Sequence, residues 1–287
     1  MATLTQTAYL TRRIIKYGFL FVIFLLVARL SWIVGYGIYR RIVPPPPPTP
    51  TVKFGRLPAI PFPQKAPSKY NFLLQTPTGE LPTLSTITRV YFMPETQASF
   101  LDLDNATKQA RSLGFSGKVT PVSETIYKFE HSNAPASLDM NIINKTFSLN
   151  YNLSATPELI NLRPKSTAEA LAAVNSFLSS GGFLAKDLAG GTPSFEFIKV
   201  EPPNLVGANS LSEASFIRIN LFRQGYDELP VLTPDKKKGN VWFLVSGDTS
   251  SGRQIIAGEY HYFPVEAEHF STYPIKTAQA AWDELVA

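Results

Sequence analysis

Residues 167–182 read TAEALAAVNSFLSSGG, and this stretch decides the fold class. Good helix formers carry apolar residues at helical spacing, Ser166 or Thr167 supplies the N-cap, Glu169 falls in the first turn, and Gly181-Gly182 ends the run. Beyond it the period changes. Residues 194–200, 215–222, 240–246 and 253–263 are β-rich, and the last two flank a loop of hairpin composition over 247–252. The run 241–245 is apolar on both faces, as a central strand is. The run 253–263 alternates, with Ile256, Tyr260 and Tyr262 on one face and Ile255, Glu259 and His261 on the other. A helix followed by an antiparallel sheet is α+β architecture.

The same plan stands upstream. Residues 101–113 form a second helix that stops at Gly114, and strands follow at 124–130, 137–141 and 146–153, with earlier β-rich runs at 70–75 and 88–93. A third helix is expected over 277–286, with Thr277 as N-cap and Ala278, Ala281, Trp282 and Leu285 on one face. The expected organisation is therefore a first α+β unit over 69–160 and a second over 161–287. No sheet stands behind the terminal helix, so either the reading frame is truncated or that helix caps the preceding sheet.

The first 68 residues have another character. Residues 17–39, YGFLFVIFLLVARLSWIVGYGIY, hold one charge and are flanked by Arg12, Arg13 and Lys16 before and Arg40 and Arg41 after. At 1.5 Å per residue they reach roughly 34 Å, enough for a hydrocarbon core of about 30 Å. Residues 12–41 are thus read as a transmembrane signal anchor after a short tail over 1–11. A cleaved signal peptide fits less well, because no small-x-small site follows residues 17–28 and apolar character resumes after Arg29. Arg29 is the membrane-embedded charge. Near the centre of a span it costs on the order of 2.5–3.5 kcal/mol, and it either pairs with an acid on a partner helix or snorkels to the interface. Ten of the residues over 44–67 are proline, so 42–68 is read as a polyproline II stalk.

Charge follows these boundaries. The 287 residues sum to +5, but residues 1–68 carry nine Lys and Arg and no acid, leaving eighteen basic against twenty-two acidic residues beyond, a net of −4. The basic balance belongs to the anchor and stalk, which argues for the lipid bilayer and against nucleic acid as partner. The one basic cluster beyond them, Lys236-Lys237-Lys238, reads as a solvated loop tip. With no cysteine, thiol chemistry and disulfide frameworks are excluded.

A single N-terminal span, then ATKQARSLGFSG (106–117) and TAEALAAVNSFLSSGG (167–182), each feeding β-strands, then YPIKTAQAAWDELVA (273–287), resembles the YycH/YycI-type extracytoplasmic regulators and their PepSY-like modules. The resemblance is one of organisation over roughly residues 100–287. It implies helices packed on antiparallel sheets, and a regulatory role exerted through contacts with a membrane sensor kinase. The proline-rich stalk is a departure from that family.

Chemistry is sparse in the sequence. There is no G-x-S-x-G elbow, P-loop, dinucleotide fingerprint or H-E-x-x-H; Gly114-Phe-Ser116-Gly117 ends a helix instead of a strand. Glu259 and His261, with Glu266, Glu268 and His269 nearby, form the best constellation, read as an exposed polar face in preference to a metal site. Asp102-Leu-Asp104-Asn105 is read as a helix cap in preference to a calcium loop. The expectation is a single-pass, non-catalytic binding or regulatory module outside the cytoplasm, with no cofactor, bound to the bilayer and to another membrane or envelope protein. The alternative is an envelope hydrolase.

Overall fold

The structure is a computed structural model that describes residues 4–42, 49–59, 72–227, 229–235, 237–250 and 252–286. The chain divides into two compact units, Met1–Val52 and Lys53–Ala287. In the first, helix α1 (Leu4–Ile42) contains Arg12–Arg40, a stretch long and apolar enough to cross a membrane, whose most apolar 18-residue window has mean hydropathy 2.2. The helix begins ahead of the span expected over 12–41, and Arg29 lies within it. Arg40 sits over the Tyr36 ring at 4.9 Å, the amphipathic pairing that suits a membrane interface. Residues 43–48 and 60–71, which hold most of the expected stalk, lie outside the described residues.

The second unit is α+β. In chain order it runs β1 (Ile87–Phe92), α2 (Asp102–Ser112), β2 (Val119–Pro121), β3 (Ile126–Glu130), β4 (Ala136–Asn141), β5 (Phe147–Tyr151), then two 3-10 turns over Leu153–Ala155 and Pro157–Asn161. It continues α3 (Thr167–Ser180), α4 (Lys186–Ala189), β6 (Pro193–Glu201), β7 (Asn204–Gly207), β8 (Phe216–Leu221), β9 (Val241–Val245), β10 (Ile255–Tyr260), β11 (Glu266–Pro274) and α5 (Ala278–Val286). Nine strands form one antiparallel sheet in the order β2-β3-β4-β5-β10-β9-β8-β6-β7, while β1 and β11 pair as a separate ribbon. The stretches over 69–160 and 161–287 thus contribute to one sheet, joined where β5 meets β10.

The two helices preceding the strands stop in the same way. Ser112-Leu-Gly-Phe115 and Ser180-Gly-Gly-Phe183 each place a glycine at positive φ, Gly114 at +97° and Gly182 at +74°. The following phenylalanine N–H then bonds back to a last-turn carbonyl, Phe115 to Ala110 and Phe183 to Leu178. Both phenylalanines are buried. This is a Schellman stop with its apolar contact, and it turns each chain down onto the sheet. At the other end of α3, Ser166 caps by accepting the Glu169 N–H. Asp102 does not cap α2 in that way: its carboxylate reaches back to the Ser99 N–H.

Helices α2 and α3 cover one face. Ala106 and Ala110 of α2 and Ala170, Val174 and Leu178 of α3 join Leu138, Met140, Leu149, Ile219 and Phe243 in one core. Phe147 stacks on Tyr260 across the β5–β10 junction at 5.0 Å and 9°, with Phe183 edge-on to both. Gly258 sits on the same face between Leu149 and Phe243, and the Phe243 ring occupies the space a side chain there would need. At one end of the junction the Arg223 Nε–Asp187 pair (2.5 Å) is closed by Tyr262, whose hydroxyl donates to Asp187 at 2.8 Å. Burial first, and then that bond, push the Tyr262 phenol up to about 12.

Several elements differ from the sequence reading. A bulge between Ile255 and Ala257 puts Ile255 opposite Val245, on the core side, instead of beside Glu259. Residues 72–75 form no strand, and residues 70–71 lie outside the described residues. Strands β2, β7 and β11 were not expected. Lys53 to Gly55, read as stalk, lie against β11: the Lys53 N–H donates to Ser271 Oγ at 2.8 Å and the Tyr273 hydroxyl to the Gly55 carbonyl at 3.0 Å. Helix α5 buries none of its residues, and Thr277 caps it through the Ala280 N–H.

Gly258→Ala should force the Phe243 ring aside and destabilise the folded unit by about 1–3 kcal/mol, read as a lowered urea midpoint with little change in slope. An unchanged midpoint would contradict the packing described.

Candidate functional site

The face of the sheet opposite α2 and α3 carries an ordered set of side chains that spans several strands. Strand register fixes what stands on it, because directly paired residues point to the same side. One rung crosses β3, β4, β5, β10, β9 and β8 as Lys128, Asp139, Ser148, Glu259, Trp242 and Asn220. The next holds Ser137, Asn150, Ala257, Leu244, Arg218 and Glu196. Lys128, Asp139, Ser148, Trp242 and Glu259 are half-buried, as side chains lying on an open sheet are, and Asn150 is exposed.

Glu259 organises the centre. The Trp242 indole N–H donates to its carboxylate at 3.0 Å, Lys238 approaches to 3.6 Å and His261 to 3.9 Å. Arg218 lies over the Trp242 ring at 4.2 Å, and Asn220, fully buried, donates to Glu196 at 3.2 Å while accepting the Gly239 N–H. Burial alone would raise the Glu259 carboxyl, but the indole hydrogen bond and the Lys238 and His261 charges outweigh it and hold the group below its ordinary range. The carboxylate therefore stays ionised at neutral pH. These two rungs carry the bases Lys128 and Arg218 and the acids Asp139, Glu259 and Glu196, so the face presents both signs of charge.

The structure separates the constellation expected from sequence. Glu259 and His261 share the open face, whereas His269 and Glu266 pair at 3.3 Å on β11, where the His269 ring packs against Phe54 and Phe92. Among the described residues no group of three or more His, Asp or Glu is placed to hold a metal ion. Asp102 is engaged by the Ser99 N–H and by Lys145, which lies 4.0 Å from its carboxylate. Lys238, expected at a solvated tip, leans over Trp242, and Lys236 lies outside the described residues. Trp242, Arg218 and Asn220 were missed; they join Glu259 only through register, although the alternation of 241–245 could have flagged Trp242 as facing away from Val241 and Phe243.

Comparison with protein-family models, with curated proteins and with solved structures finds no match.

The Trp242 indole resonance followed by NMR should titrate with a midpoint below 4.5, the ordinary value for a glutamate. Lys238→Gln should move that midpoint upward, since one of the charges holding the carboxylate ionised is gone; a midpoint above 4.5 in the unaltered protein would contradict the network.

Proposed function

We propose that this chain is a single-pass membrane-anchored, non-catalytic binding module that docks another envelope protein on the open face of its sheet. Helix α1 acts as the anchor, with a short N-terminal segment in the cytoplasm and the Lys53–Ala287 unit outside it. The observation that carries the reading is the asymmetry of the sheet: both long helices cover one face, and the centre of the other is ordered by the Asn220–Glu196 bond and by Glu259 with Trp242 and Lys238, Arg218 lying over the Trp242 ring. Side chains already ordered lose little entropy on docking, and a face carrying both signs of charge matches a partner of complementary pattern better than a uniformly charged polymer. The separation of Glu259 and His261 from His269 supports binding over hydrolysis. In the form that the YycH/YycI resemblance implies, the partner is a membrane sensor kinase, and Arg29 faces an acidic residue of its transmembrane helix.

Two measurements test this. Protease added to intact cells should digest the Lys53–Ala287 unit and leave a membrane-retained fragment containing α1; full protection would reverse the orientation. A photocrosslinking residue at Asn150, on the open face, should give an adduct of one defined mass in native membranes, and the same residue at Lys108, exposed on α2, should give none. Equal labelling from both positions, or none from either, would reject docking through the open face.

A further inference from the structure

On the opposite, helical side, a cleft of about 310 Å³ opens between the C-terminal end of α2, the second half of α3 and the β9–β10 loop. It lies on the core side of the sheet, apart from the surface assigned above, and stands or falls independently of that assignment. Its floor is apolar, made by Leu149, Phe177 and Ile255. Its rim is polar and holds one permanent cation, Arg111, with no Asp or Glu among the described lining residues. Arg111 is exposed, so its guanidinium is available to a ligand.

His131 supplies the second donor. Its Nδ1 accepts the Asn133 N–H at 3.1 Å, which assigns the proton to Nε2. Burial lowers the pKa of the ring, so at neutral pH it is the uncharged tautomer with an Nε2–H. The ring stands edge-on to Phe115 at 5.5 Å, and it fits because Gly114 and Gly252, both at positive φ, carry no side chain: a Cβ would stand 2.9 Å from Nε2 at the first and 2.5 Å at the second. Two left-handed glycines from separate parts of the chain thus hold one imidazole at the cleft wall.

We propose that this cleft binds a small amphiphilic oxyanion, with its carboxylate or phosphate head on Arg111 and His131 and an apolar body of about one aromatic ring over Leu149, Phe177 and Ile255. The volume is at the lower end of small-molecule sites, and the apolar floor lies beneath a polar rim on which Arg111 and His131 are the groups that can fix an anion. A charge-assisted bond to guanidinium gives the head its preference.

The test uses the full chain in a non-ionic detergent, with phenyl phosphate and phenylacetate as probes and benzyl alcohol and benzylamine as neutral and cationic controls, read by saturation-transfer NMR and calorimetry. Saturable binding of at least one anion, weakened about tenfold by Arg111→Gln, is expected; which anion binds more tightly separates a phosphate from a carboxylate ligand. Ser176→Phe, an exposed α3 position on the cleft, should block binding with the thermal transition unchanged, which distinguishes cleft binding from partition into the micelle. Absence of saturable binding by either anion, equal affinity in Arg111→Gln, or benzylamine binding as tightly as the anions would overturn the proposal.

Discussion

The pairing of β5 with β10 is the interaction on which the rest of the second unit depends. Each is the last strand that its helix-led run gives to the large sheet, and their antiparallel register, Phe147 opposite Tyr260 through Asn150 opposite Ala257, turns two helix-and-strand runs into one nine-stranded sheet. Four ladder pairs are few for that task, and packing across the seam reinforces them. The Phe147–Tyr260 stack, the Tyr260 hydroxyl on the Phe183 carbonyl at 2.9 Å and the Phe243 ring over Gly258 all lie within one residue of the junction. Aromatic contacts of this kind add about 0.5–1.5 kcal/mol each beyond burial, comparable with the ladder itself.

Both candidate surfaces follow from that seam. On one side, Ser148 and Glu259 become neighbours only because β5 and β10 pair, which carries the polar rung from Lys128 to Asn220 without a break. On the other side, the same pairing brings the end of α2 and the β9–β10 loop together around His131. One structural event thus produces both the polar face on which docking is proposed and the open cleft for which a small anion is proposed.

How much of this was legible depended on the range of the determining interaction. Helix α3 could be read residue by residue, since spacing, the Ser166 cap and the glycine stop are local signals. Strand β11 could not: its first half carries Glu266, Glu268 and His269, poor strand formers, and it is held by β1, nearly the whole folded unit away in sequence. Residues 72–75, read as part of a β-rich run, form no strand, since β-rich composition alone does not make one. The fate of Ile255 turned on a bulge that no alternation pattern announces. At the candidate site, Glu259 and His261 were visible as neighbours at i and i+2, but Trp242 reaches Glu259 from another strand and Lys238 from a loop, and Arg218 joins them through the Trp242 ring. The shared Ser-x-Gly-Phe stop at 112–115 and 180–183 was present in the sequence all along; its meaning depends on positive φ at the glycine and a buried phenylalanine after it.

The central claim is that the seam makes the two runs a single cooperative body. Native-state hydrogen exchange with urea unfolding on the full chain tests it directly. The account predicts one transition seen by all probes, with backbone amides of β5 and β10 exchanging only through global unfolding. Two separate transitions, or seam amides exchanging much faster than those of β4 and β9, would show that the runs fold independently and would contradict it.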